Sequence, residues 1–146
     1  MFQLDEKDEA ILDVLRENSS LSIGKIARKT GIPIATVHHR IKKLRAEGII
    51  KKYTIIIDQV KLGKKMIAHV LIKAMPKIDH IALLEKLMKH DQVEDGSAIT
   101  GEFDLIIKVR VTDIDGLDYF VLKFLRTFDE ISQTESMIAF RNIVKE

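Results

Sequence analysis

His38 and His39 stand side by side in GIPIATVHHRIKKLRAEGIIKKY, residues 31–53, a stretch with six Lys or Arg residues and one acid. Imidazole is a common metal ligand and proton carrier, so an adjacent pair raises both possibilities. On a helix, however, neighbours diverge by about 100°, whereas helical ligand pairs stand three or four residues apart. The chain has no cysteine and no carboxylate at ligand spacing beside the pair, so no metal is expected there. The missing cysteine also excludes disulfides, thiolate metal sites and a cysteine nucleophile. No P-loop, nucleophile elbow or paired-carboxylate arrangement is present, so neither an enzyme nor a resident cofactor is expected.

The stretch is better equipped to attract a polyanion. Residues 25–65 hold 12 basic and 2 acidic side chains. Residues 1–65 hold 14 Lys/Arg against 8 Asp/Glu, while residues 66–146 hold 10 against 14, so the net charge of +2 conceals a basic first half. A positive field confined to one region points to a nucleic acid, against the plainer alternative of a solvated lysine-rich face. The first residues are acidic rather than signal-like and no apolar run approaches the ~18 residues of a membrane span, so a cytoplasmic protein is expected.

Positioning such a stretch requires helices. Leu4, Ala10, Ile11, Val14 and Leu15 share one side of a first helix whose opening turn carries Asp5, Glu6, Asp8 and Glu9. Ser22 can cap a second helix that stops at Thr30-Gly31, and a third can begin at Pro33 and run to about Glu47, with Gly48 ending it. Three short helices with a glycine turn between the last two form a helix-turn-helix pattern. With Val37 at zero, Ile34, Ile41 and Leu44 project inward. Ala35, His39, Lys42 and Ala46 project outward, flanked by Thr36 and Lys43.

Such a face fits the major groove of B-form DNA. Ala35, Thr36 and His39 are placed for base edges; Lys42, Lys43, Lys51 and Lys52 suit phosphates. Arg40 lies at the stripe's edge, where it can reach a phosphate or pair with an acid of the first helix. His38 sits at the opposite flank, and for both histidines a solvated helix surface is the alternative.

Beyond the extended stretch 51–65, which breaks near Gly63, the apolar period changes. Strands are expected at 66–74, 93–100, 105–111 and 132–140, with helices after Asp79 and from the acidic DIDG onward. The fold class is therefore α+β: a helix-turn-helix domain over 1–50, a connector over 51–65 and a ferredoxin-like βαββαβ domain over 66–146. That domain leaves one sheet face open, and a second copy of the chain is the simplest cover.

The opening LDEKDEAILDVLRENS, the GIPIATVHHRIKKLRAEGIIKKY segment with Gly31, Thr36, Val37, Arg40, Ile41, Leu44, Gly48 and Ile50, and GEFDLIIKV at 101–109 together resemble the Lrp/AsnC (feast/famine) transcription regulators. The resemblance spans essentially the whole chain. Pro33 and Ala35 replace frequent serines and Arg45 a frequent acid, so base preference does not carry over.

The resemblance implies a sequence-specific regulator of double-stranded DNA that dimerises through its sheet and can assemble into octamers. An amino-acid effector would bind near the Gly-x-x-Asp loop and the fourth strand. Gly101 would let backbone approach the effector, Asp104 would hold its ammonium, and Thr134 and Ser136 would add hydroxyls. A tight turn with an aspartate acceptor explains Gly101 and Asp104 equally well. Two other functions fit the plan: a DNA-compacting architectural protein, and, by resemblance to some relatives, a decarboxylase of tetrapyrrole precursors. An enzyme of the latter kind would not need the lysine-rich face on the third helix.

Overall fold

The structure, a computed structural model, describes residues 3–144; residues 1, 2, 145 and 146, which the expected domain limits include, lie outside the described residues. The chain divides into two compact units between Ile56 and Ile57, inside the stretch expected as connector.

In the first unit, α1 (Glu6–Glu17) starts after Asp5 because two aspartates close its first turn on each other. Asp5 Oδ1 accepts from the Asp8 N–H at 2.9 Å and Asp8 Oδ2 from the Asp5 N–H at 3.3 Å, satisfying donors the helix leaves open. Asp5 is thus the cap rather than a first-turn residue. α2 (Ile23–Thr30) opens on Ser22, whose hydroxyl accepts from the Lys25 N–H, and closes on Gly31 at φ 70°, a left-handed geometry that disfavours a β-carbon. α3 (Ile34–Ala46) follows with Pro33 as its N-cap, so the helix starts one residue later than expected.

Ile11, Leu15, Ile26, Ala27, Ile32 and Val37 pack as one core, with Ile41 and Ile50 partly buried against it. Full burial of each large aliphatic side chain contributes about 1.5–3 kcal/mol, which fixes α3 on the platform formed by α1 and α2. Ile34 departs from the expected inward stripe and is 60% exposed. As the first helical residue its side chain leans toward the N-terminal end, past the turns that pack. Lys51–Asp58 forms no regular element, and an aspartate-led turn follows, with the Val60 and Lys61 N–H groups donating to Asp58.

The second unit contains β1 (Met66–Ala74), α4 (His80–Leu87), β2 (Val93–Ala98), β3 (Leu105–Val111), α5 (Ile114–Tyr119) and β4 (Ile131–Ile138). The strands form one antiparallel sheet in the order β2-β3-β1-β4, as a split βαββαβ unit requires. Ala68, Val70 and Ile72 on β1 stand opposite Val109, Ile107 and Leu105 on β3. These residues pack with Leu83 and Leu87 of α4 and Leu117 of α5. The alternate positions, including Leu71, Ile106 and Lys108, therefore lie on the other face.

The helix expected from the acidic DIDG onward is not uniform. α5 widens into a π turn over Phe120–Phe124 and tightens to a 3-10 turn over Leu125–Thr127. Phe120 and Leu125 are both buried although five residues apart, a spacing that a π turn, with its i→i+5 bonds, brings to one face. The edge strands are shifted relative to the expected 93–100 and 132–140. β2 stops where the Ile99 N–H donates to the Asp104 carbonyl, and the last described ladder contact beyond β4 is the Ala139 N–H to the Ile67 carbonyl.

Candidate nucleic-acid interface

α3 owes its accessible side to the division of its residues by core packing. Val37 and Leu44 are fully buried, so the positions half a turn away face solvent. Ala35, His39, Lys42 and Lys43 are exposed and Thr36 is half-buried; Lys51 and Lys52 are exposed in the segment beyond the helix. The base-edge candidates thus lie toward the start of α3 and most of the cations toward its end.

Arg40 is the exception. Its Nη1 donates to Asp5 Oδ2 and lies 3.1 Å from Asp8 Oδ1, and its side chain is only 25% exposed. Asp8 is buried, and its Oδ1 receives no aligned hydrogen bond, so the Arg40 contact there is a charge contact. The Arg40 hydrogen bond, with the Asp8 backbone N–H, holds the Asp5 carboxyl at about 2, against an ordinary value of 3.8. Of the two roles open to Arg40 from sequence, the structure shows the pairing with acids of α1. The side chain ties the middle of α3 to the cap of α1.

A cleft of about 680 Å³ runs along one flank of α3, lined by His38, Lys42, Arg45 and Lys51 over apolar Ile23 and Ile41. Arg45 is steadied by the Tyr53 ring, whose centroid is 5.9 Å from its guanidinium carbon. Arg45 was not among the sequence candidates for contact, and His38 stood behind His39. Their signal was their helical angle, which places them on the same flank as Lys42.

The effector candidates lie in the loop entering β3 and along β4. Gly101 has φ 120°, and nothing lies within 4 Å of where a β-carbon would stand, so glycine is required there by the backbone rather than by crowding. Asp104 Oδ2 accepts from the Ala74 N–H at 2.8 Å, making this carboxylate a brace between the loop and β1. Its Oδ1 lies 3.9 Å from His80 Nε2. Thr134 stands opposite Ile72, which stands opposite Leu105, and Ser136 is two pairs further along opposite Val70. Asp104 and Thr134 are thus separated by the width of β1. A cavity of about 550 Å³ beside Thr134 is lined also by Leu125, Arg126, Asp129 and Gln133, and by none of the other three candidates.

Comparison with known proteins agrees with both halves. Residues 4–51 match the winged helix-turn-helix DNA-binding family model, and residues 67–146 match the Lrp/AsnC ligand binding domain. The chain belongs to the Lrp/AsnC family of DNA-binding transcription regulators. The uncharacterized HTH-type transcriptional regulator PF0250 of Pyrococcus furiosus is 34% identical over 145 residues, covering 98% of this chain and 97% of its own. The HTH-type transcriptional regulator FL11 of the same organism is 30% identical over 94% of this chain and 90% of its own. Among solved Lrp/AsnC structures, E. coli AsnC superposes with a TM-score of 0.90 at 28% identity, covering 99% and 97% of the two chains. The Neisseria meningitidis regulator NMB0573, solved as a complex with L-Met, shares the fold with a TM-score of 0.91 at 23% identity over 98% and 94%. Among the described residues no helix is long and apolar enough to cross a membrane.

Proposed function

We propose that this Lrp/AsnC member is a cytoplasmic, sequence-specific regulator that binds double-stranded DNA as an oligomer of at least two copies, responds to an amino acid and catalyses no reaction. The observation that carries this reading is the outward side of α3, where exposed Ala35, His39 and Lys42 share a helix with the half-buried Thr36. An α-helix fills the major groove, where alanine meets a thymine methyl and lysine donates to guanine. The functional limits follow the expected plan: residues 1–50 bind DNA, 51–65 connect, and 66–146 bind effector and assemble.

Assembly is supported by the open sheet face. It offers Leu71, Ile106 and the exposed Met137 among charged neighbours. On that face Glu94 joins Lys108, at 3.3 Å, and Arg110. Burial raises the Glu94 pKa, but the Arg110 hydrogen bond and charge and the Lys108 contact outweigh it, so the carboxyl is held below its usual range. A dimer would set two copies of α3 about one DNA turn apart, giving a roughly palindromic site.

The effector reading rests on the match to a ligand binding domain, with Gly101 and Asp104 in the loop entering β3 and Thr134 and Ser136 on β4 as the candidate contacts. The non-enzymatic reading is supported by relatives named as transcriptional regulators.

Selection of bound fragments from a genomic pool, with and without the twenty amino acids, tests the proposal. Enrichment of one palindromic motif whose yield changes with an amino acid is expected. Uniform recovery of all fragments with steep salt dependence would instead mark a DNA-compacting protein.

A further inference from the structure

A cleft between α2 and the end of α3 gathers basic side chains. His38, Lys42, Arg45 and Lys51 line it, and no acidic side chain does. By helical angle, Lys42, His38 and Arg45 stand at roughly 80° to 140° from the buried Val37, whereas Thr36 and Lys43 stand at about the same angle on the opposite flank. An α-helix with its side chains is about 10–12 Å across, and the major groove is about 12 Å wide. A helix seated there with Ala35 and His39 toward the bases therefore turns each flank to one of the two phosphate strands.

From this geometry we infer that the His38–Lys42–Arg45–Lys51 cleft seats a backbone phosphate of one DNA strand and so fixes the register of α3 in the groove. The inference rests on the DNA-binding reading and adds His38 and Arg45 to it. An anionic occupant fits the cleft, since its polar lining is four basic or proton-donating side chains and no acid. The apolar floor from Ile23 and Ile41 suits the sugar carbons of a nucleotide rather than a hydrated free ion. Arg45 is suited to hold the phosphate because its guanidinium is already steadied by Tyr53, so less freedom is lost on contact. His38 can donate one ring N–H to a phosphate oxygen without carrying charge. Phosphate contacts carry no sequence information of their own but set where the base-reading residues fall.

The test uses the full chain and a DNA fragment enriched by selection. Each backbone phosphate is replaced in turn by an uncharged methylphosphonate, and affinity is measured by fluorescence anisotropy for the wild type, His38→Gln, Arg45→Gln and Lys51→Gln. In the wild type, one position per half-site is expected to weaken binding about tenfold or more. In the three variants that same position should fall silent, with less than about a twofold effect, while the other positions keep theirs. Lys51 lies outside every helix, so its variant separates loss of the contact from loss of helix.

An identical methylphosphonate profile in the variants and the wild type overturns the inference while leaving DNA binding intact. Saturable binding of inorganic phosphate alone at constant ionic strength, with chemical shifts confined to the cleft, would overturn the DNA strand as occupant. Failure of the wild type to bind any fragment would remove both the inference and the reading beneath it.

Discussion

Replacing Arg40 by Gln separates the two roles that its position on α3 allows. Arg40 donates to Asp5 and contacts the buried Asp8, and that hydrogen bond is the largest cause of the depressed Asp5 pKa. Without it, the Asp5 carboxyl should titrate well above 2 and toward 3.8, the remainder being held by the Asp8 backbone N–H. A folded-state pKa below the unfolded value adds stability that is complete above the unfolded pKa of about 3.9 and is lost as pH falls through the folded one. In the wild type that loss runs from near 4 down to about 2. In Arg40→Gln the same loss should be smaller and complete at a higher pH.

The effect on DNA is calculated separately. Each phosphate contact contributes about 0.9 to the slope of log affinity against log salt. A clasp residue contributes none, so Arg40→Gln should lower affinity by loosening α3 while leaving the slope within about 0.3 of the wild type. Carboxyl-detected NMR titration of Asp5 and anisotropy titrations from 50 to 200 mM salt measure the two quantities. An unmoved Asp5 titration, together with a slope reduced by about 0.9 per protomer, would refute the clasp and return Arg40 to the phosphate contacts.

Three further outcomes are expected in the second unit. Gly101→Ala places a β-carbon on a backbone at φ 120° and should cost roughly 1–3 kcal/mol in urea unfolding, with no relief from trimming neighbours, since none lies within 4 Å. Phe120→Ala empties a fully buried site in contact with the rings of His90 and Phe124, and should cost about 3–5 kcal/mol by the same measurement. Asp104→Asn keeps an acceptor for the Ala74 N–H while removing the charge. Stability should therefore stay within about 0.5 kcal/mol, and calorimetric affinity for the amino-acid effector should fall at least tenfold. Unchanged effector affinity would leave Asp104 a turn brace alone.

How far the sequence could be read depends on where each signal lies. Strands β1 and β3, at the centre of the sheet, match their expected limits because both are bounded and patterned by core packing at every second residue. The edge strands β2 and β4 end two residues short of the expected limits, because apolar and branched residues continue past the end of the regular strand. Ser22, Asp79 and Asp113 act as caps in the structure, each accepting backbone N–H groups of its own first turn. These are local interactions, which is why residue type and position reveal them. The π turn after Tyr119 was not legible, since it follows from accommodating Phe120 and Leu125 in one core rather than from local preference.

Among site residues the same division holds. The exposure of His39 and Lys42 followed from helical angle alone. Arg40 could not be assigned because its partner Asp5 is 35 residues away and the angle allows either role. Gly101 and Asp104 were ambiguous between turn and ligand. The φ of Gly101 explains the glycine, and the Ala74 N–H gives the Asp104 carboxylate a partner on β1 rather than within its own turn.

The central claim is that the outward side of α3 reads DNA sequence. Anisotropy titrations at one fixed salt concentration, with a selected fragment and with its scrambled counterpart, test this most directly, in the wild type and in a variant carrying Thr36→Ala and His39→Ala. The wild type should prefer the selected fragment by about 10³-fold or more, and the variant should lose most of that ratio while keeping its affinity for scrambled DNA. A wild-type ratio near one, or a ratio unchanged in the variant, would contradict that claim.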